Sequence, residues 1–259
     1  MKRLWLFFLC IVLSKGALWG LVLDRVIIST DRNPTYIDFW PLVSQAWKKF
    51  VHVKPTVALI AKADVEIDET LGDVVRFEQI PDIPNWFYAQ VVRLLLPAYY
   101  PEEVCIVSDM DMLPLNGAYF IDSVKNLPSD SFVVYRDKSG DGGRYPMCYV
   151  AAKGKIFGEM FHVNSLSDIP NIVYDWYKRG FGWDTDEVLL REHAVAWHNI
   201  TGKCIKLGHD AKRRIDRSNW HYNAVDLKKK HYVEAHMLRP YGWYKTEINK
   251  LAQAVGLRV

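Results

Sequence analysis

Residues 104–115 read VCIVSDMDMLPL: four apolar residues, a serine, then two aspartates separated by one methionine. A continuous apolar run of this kind marks a strand buried on both faces of a parallel sheet. In open α/β sheets ligands sit in the crevice beyond the carboxyl ends of the strands, so Asp109 and Asp111 stand where a functional site is expected. Upstream, residues 25–29 (RVIIS) form a β-branched run that stops at the polar cluster Thr30, Asp31, Arg32, Asn33 and Pro34. Trp40, Val43, Trp47 and Phe50 then recur at spacings of three and four, one stripe of a helix laid over a sheet. Residues 56–60 and 74–80 read as further strands, which completes a βαβ alternation.

A second helix is expected from about residue 86 to 96, entered after Pro84 with Asn85 as its cap and left at Pro97. Arg93 interrupts its run VVRLLL, and Gln90 precedes it by three residues on the same face. Either the two line a polar cleft, or Arg93 reaches solvent over its apolar stem. Downstream, residues 132–135 and 145–151 read as strands of an antiparallel addition, joined through a glycine-rich turn at 139–143. A helix over 169–179 carries Ile172, Val173, Trp176 and Tyr177 on one face, and another starts near Asp184. The pattern predicts one α/β domain over residues 21–259, a mainly parallel central sheet flanked by helices with a small antiparallel addition.

The bulk numbers fit one core: 259 residues, half of them apolar and 24% charged. With 33 basic against 30 acidic side chains and a net charge of +3, no strong field favours nucleic acid, and none is expected as a partner. Ten tryptophans and 14% aromatics suit the C–H faces of sugars, although aromatics fill cores more often. Residues 1–20 stand apart: Lys2 and Arg3, an apolar run over 4–13, then Ser14, Gly16, Ala17 and Gly20. That is the pattern of a secretory signal peptide. The alternatives are an uncleaved membrane anchor, because apolar character resumes over 17–23 despite Lys15, and an apolar helix of a cytoplasmic protein. Cys10 lies in the leader and Cys105 in the buried strand, which leaves Cys148 and Cys204 as a possible pair; no CxxC or zinc spacing occurs.

In an extended segment Asp109 and Asp111 project to the same side and can meet one cation. Mg²⁺ or Mn²⁺ combines one or two carboxylates with phosphate oxygens and water. Like charges this close repel by roughly 1–4 kcal/mol, which a cation relieves. Alone, D-x-D more often marks a solvated turn; here it follows a buried strand.

At this point the sequence resembles a family. Residues 86–115, WFYAQVVRLLLPAYYPEEVCIVSDMDMLPL, look like the helix, strand and D-x-D unit of GT-A glycosyltransferases. The run from 26 to 241 is similar to the glycosyltransferase domain at the start of the large chlorella-virus rhamnosyltransferase protein, and more loosely to the glycogenin and lipopolysaccharide galactosyltransferase group. The resemblance implies a GT-A fold and a metal, Mn²⁺ or Mg²⁺, on Asp109 and Asp111, with the ribose near Asp109. It sets Arg93 facing the donor and Thr30, Asp31 and Asn33 against the nucleotide, a short match that a polar turn also explains. In FGWDTDEVLLREH, residues 181–193, Asp184 and Glu187 read as a capping box and Asp186 as favouring the helix dipole. The resemblance assigns Asp186 to sugar binding or catalysis. In EAHMLRPY, residues 234–241, it makes His236 the third metal ligand, and Arg239 nearby is placed to neutralise departing phosphate. His209, Arg214, Asp216 and Arg217 form a charged loop expected to be solvated.

The implied reaction moves a sugar from a nucleotide diphosphate sugar, a UDP-sugar first, to a hydroxyl of a glycan acceptor. The rivals are a nucleotidyltransferase that forms sugar nucleotides, whose glycine-rich phosphate loop is missing here, and a secreted inactive carbohydrate-binding relative. Neither G-x-S-x-G nor G-x-x-x-x-G-K-[ST] is present, so serine hydrolase and P-loop readings fall away.

Overall fold

The computed structural model describes residues 20–139 and 142–259. The leader up to residue 19, with Cys10, and the middle of the glycine-rich turn lie outside the described residues. In chain order the first half comprises β1 (Arg25–Asp31), α1 (Pro34–Ile37), α2 (Trp40–Ala46), β2 (Lys54–Ile60), β3 (Asp73–Phe77), α3 (Asn85–Leu95), β4 (Val104–Val107) and β5 (Met112–Pro114). There follow α4 (Gly117–Asp122), β6 (Phe132–Val134), β7 (Val150–Lys153), α5 (Gly154–Phe161), α6 (Ile169–Lys178) and α7 (Thr185–Thr201). The chain ends with β8 (Cys204–Lys206), β9 (Arg214–Asp216), α8 (Ala224–Lys228), β10 (Glu234–His236) and α9 (Lys245–Ala254).

The main sheet has seven strands in the order β3-β2-β1-β4-β7-β6-β8. Neighbours pair in parallel except at β7, which runs against both β4 and β6. This is the expected mainly parallel sheet with an antiparallel insertion. A second sheet, β5-β10-β9, pairs β10 antiparallel to β5 and parallel to β9. Because side chains alternate across a strand, the apolar run of β4 feeds two cores. Val104 and Ile106 join the cluster with Trp40, Val43 and Trp47, whereas Cys105 and Val107 join the one built on α3, α5, α6 and α7. The predicted stripe on the first helix is thus real, though its last turn, Trp47–Val51, is π-helical and Phe50 is only partly buried.

Several boundaries differ from expectation. Asn85 is not the cap of α3: Pro84 takes that place, and its carbonyl accepts from the amides of Phe87 and Tyr88. The strand expected over 74–80 ends at Phe77, and residues 145–149 run irregularly before β7 starts at Val150. Helix α5 was not legible, since its eight residues are too short to show a period. Among the described residues no helix is long and apolar enough to cross a membrane.

The start of α5 sits against the turn that follows α3. A Cβ on Gly154 would lie 2.2 Å from the carbonyl oxygens of both Pro97 and Tyr100, and backbone cannot swing aside as a side chain can. Gly154→Ala is therefore expected to destabilise the protein by about 1–3 kcal/mol, read as a lower urea midpoint at unchanged slope.

Candidate active site

Strand order reverses between β1 and β4: β2 and β3 lie to one side of β1 and β4 to the other. A crevice opens beyond such a switch point, and the polar ends of both strands, Thr30–Asp31 and Ser108–Asp109, lie at it. A cavity of about 420 Å³ occupies the place. Thr30, Asp31, Asn33, Arg93 and Asp109 line it, as do Asp111, Asp186, His236 and Arg239, so every residue given a metal, donor or catalytic role from the sequence reaches one cavity.

The acid pair is not extended. The amide of Met112 donates to the Asp109 carbonyl at 3.2 Å and closes a turn over residues 109–112 that links the main sheet to the second one. The two carboxylates consequently face different partners instead of projecting together. Asp109 is bound by Nη1 of Arg93. Asp111 is 4% exposed and gathers basic side chains: its Oδ2 lies 2.6 Å from Arg217 Nη1, 3.5 Å from Arg239 Nη1 and 3.5 Å from His236 Nε2. Burial acts to raise the Asp111 carboxyl, but the His236 ring, Arg217 and Arg239 outweigh it and hold the group below its ordinary value.

Sheet register brings these groups together. In the second sheet His236 stands opposite Met112 on one side and Asp216 on the other, and the amide of Met237 donates to the Asp111 carbonyl at 2.9 Å. His236 Nδ1 lies 3.3 Å from Asp216 Oδ2, which fixes the ring with Nε2 toward Asp111. Burial works to raise Asp216 as well, but hydrogen bonds from Ser218 and the nearby His236 bring it down to about 2. Arg239 also bonds the Tyr36 hydroxyl, with its guanidinium 5.1 Å from the ring centroid.

Of the two expectations for Arg93, the polar cleft holds: the side chain is buried and its Nη2 reaches Asp186 Oδ2 at 2.8 Å while Nη1 holds Asp109. Gln90 completes the face, donating to Asp186 Oδ1 at 3.0 Å and to the Trp183 carbonyl. The capping box expected at α7 does not form. Asp184 makes no side-chain cap and pairs instead with Arg144 at 2.6 Å, and Arg144 also lies 3.4 Å from Glu187. Asp186 in the first turn is 2% exposed; burial raises its carboxyl above the ordinary aspartate value, with Arg93 opposing. A raised folded value means the stability contribution is complete below the ordinary value of about 3.9 and is lost as the pH climbs through the raised one. Asp186→Asn is expected to remove that loss, so urea midpoints of the variant gain on the parent as the pH rises above the ordinary aspartate value of about 3.9.

Thr30, Asp31 and Asn33 hold their own loop as well as lining the cavity: Asp31 accepts from the Asn33 amide and Asn33 from the Thr35 amide, both at 3.0 Å. The expectation of a solvated charged loop fails for Arg214, Asp216 and Arg217. β9 carries the first two into the second sheet, and Arg217 follows directly onto Asp111. Arg214 Nε lies 2.7 Å from Glu234, a fully buried carboxylate that also takes Arg136 Nη1 at 2.5 Å and the Tyr149 hydroxyl at 2.5 Å. His209 Nδ1 lies 3.1 Å from the Tyr119 hydroxyl. Tyr36, Arg136, Arg217 and Glu234 were not assigned roles from sequence; only the alternation RRIDR, with Ile215 buried between charges, hinted at a strand there. Cys105, Cys148 and Cys204 are free thiols, so the possible Cys148–Cys204 pair does not form.

The donor set suits a divalent cation in kind: carboxylate oxygens with an imidazole whose second nitrogen is oriented by a carboxylate. Among the described residues no three such groups converge on one point, because Asp109 is turned to Arg93 and Asp111 to Arg217.

No protein-family model matches the chain, and no curated protein matches it. Among solved structures, the glycosyltransferase GlyE of Streptococcus pneumoniae TIGR4 aligns over 90% of this chain and 63% of its own, with 12% identity and a TM-score of 0.51. Its apo form aligns over 90% and 62%, again at 12% and 0.51. The chain thus spans less than two thirds of GlyE. The galactosyltransferase LgtC, solved with donor and acceptor sugar analogs, covers 90% and 95% at 11% identity, with a TM-score of 0.49. The likeness to GlyE is one of fold: this chain has the GT-A architecture expected from its sequence.

Proposed function

We propose that the protein is a glycosyltransferase that moves a sugar from a nucleotide diphosphate sugar, UDP-sugars first, to a hydroxyl of a glycan. The observation that carries this reading is the convergence of three remote segments, around Asp109, Asp186 and His236, on one cavity at the switch point of the sheet. The similarity to GlyE and the motif resemblance to the chlorella-virus domain support it.

Asp109, Asp111 and His236 would hold Mn²⁺ or Mg²⁺, which when bound offsets charge on a diphosphate. Arg217 and Arg239, released from Asp111, supply guanidinium donors to the leaving diphosphate, where charge grows in the transition state. Thr30, Asp31 and Asn33 face the nucleoside side of the cavity. Arg93 holds Asp186 beside Asp109, and Asp186 takes the sugar or acceptor hydroxyls as hydrogen-bond acceptor. Residues 1–20 are proposed to route the enzyme into the secretory pathway or hold it at a membrane.

A panel of nucleotide sugars incubated with Mn²⁺ and glycan acceptors tests the reading. Release of nucleoside diphosphate from one donor, lost in Asp111→Asn, is the expected result. Pyrophosphate release from a nucleoside triphosphate and a sugar 1-phosphate would show the nucleotidyltransferase instead, and glycan binding with every donor intact an inactive relative.

A further inference from the structure

Two exposed tryptophans stand at the mouth of the cavity. Trp86 opens α3 and is 42% exposed; Trp183, on the turn before α7, is 60% exposed, and both line the cavity. Their rings stack, with centroids 5.6 Å apart and planes at 28°. Beneath them the buried Phe87 meets Trp86 edge-on at 5.9 Å and Tyr177, 38% exposed, at 5.0 Å, so a third exposed ring stands beyond the pair. A core use is excluded by the exposure, and leaving two large apolar rings in water is costly unless something covers them.

The pair is tied to the polar machinery. Gln90, one turn along α3 from Trp86, donates both to the Trp183 carbonyl and to Asp186, so the buried carboxylate and the exposed indole share one support. Gly180 and Gly182, at φ +73° and +58°, give the turn its left-handed corners, and no heavy atom lies within 4 Å of where either Cβ would be.

We infer that Trp86 and Trp183 form the platform on which a neutral oligosaccharide acceptor lies, one pyranose on the indoles and the next toward Tyr177, with its reactive hydroxyl directed into the cavity toward Asp186. This deepens the transferase reading and rests on it for the word acceptor. The chemistry is that of a flat apolar ring against a C–H face, with hydroxyls left at the edge for the polar groups below. A second sugar is needed to reach Tyr177, so affinity rises from mono- to oligosaccharide.

The full chain is applied to an array of neutral and acidic oligosaccharides, and its best neutral ligand is then titrated by tryptophan fluorescence without nucleotide or metal. Trp183→Ala and Trp86→Ala are expected to weaken binding about 3- to 10-fold each, with Trp183→Phe recovering part of the loss. Trp243→Ala, which removes an 82% exposed ring away from the cavity, leaves binding unchanged. Binding as tight as the parent's in both alanine variants overturns the platform, as does a parent that binds no glycan. Binding to phosphatidylcholine–phosphatidylserine vesicles that is lost with both tryptophans, in place of glycan binding, also overturns it and marks a membrane-contact patch. Because nucleotide and metal are absent, glycan binding lost in the tryptophan variants upholds the platform even where the donor panel yields no transfer, and transfer with tryptophan-independent glycan binding upholds the reaction alone.

Discussion

Replacing Glu234 with alanine is expected to lower stability by about 3–5 kcal/mol, among the largest single-residue effects available in this protein. The carboxylate is fully buried and takes Arg136 at 2.5 Å, Arg214 at 2.7 Å and the Tyr149 hydroxyl at 2.5 Å. Deleting it strands the Arg136 guanidinium, itself 1% exposed, without its counter-charge. The cost arises from the charge left behind more than from the pair lost. For a chain of this size that is a fall of roughly 6–20 °C in the melting midpoint. Glu234→Gln keeps an acceptor for Tyr149 and Arg214 and should lose less. Glu234 also begins β10, two residues before His236, so the alanine variant is expected to misplace the imidazole. A shift below about 1 kcal/mol in urea titrations would contradict this account of the second sheet.

Asp111→Asn is the second large change, and its effect falls on binding. In the parent one buried carboxylate faces Arg217, Arg239 and His236. The amide keeps the shape but loses the charge a divalent cation needs. Manganese-assisted nucleotide affinity is expected to fall by roughly 10²-fold or more, since even changes one shell out cost 10- to 100-fold. Metal-free affinity moves the other way, because Arg217 and Arg239 lose their carboxylate and turn to the diphosphate. Titrating UDP into parent and variant, each with Mn²⁺ and with EDTA, reads both halves. Equal losses in the two conditions would mean Asp111 acts only as a structural anchor.

Much of this was legible in the chain. The apolar run before Asp109 predicts a strand buried on both faces, and β4 does feed both cores. The lone arginine in VVRLLL leaves a polar cleft and a reach to solvent both open, and Arg93 is buried between two carboxylates. What stayed hidden depends on long-range register. Asp216 and His236 face each other only because β9 pairs with β10, and strands of three residues carry no period to announce that. The charged string around Arg214 reads as solvent-facing until Glu234, twenty residues on, is seen to neutralise it. The D-x-D spacing likewise misled on local shape, since a turn and an extended pair have the same sequence.

We propose that Asp109, Asp111 and His236 receive a divalent cation beneath a nucleoside diphosphate. Isothermal titration of UDP and GDP into the full chain, with Mn²⁺ present and then chelated, tests it most directly. Uptake of one nucleotide that strengthens at least tenfold with Mn²⁺ in the parent, and no longer does so in His236→Ala, is the predicted result. Uptake indifferent to the metal, or none of either nucleotide, would contradict it.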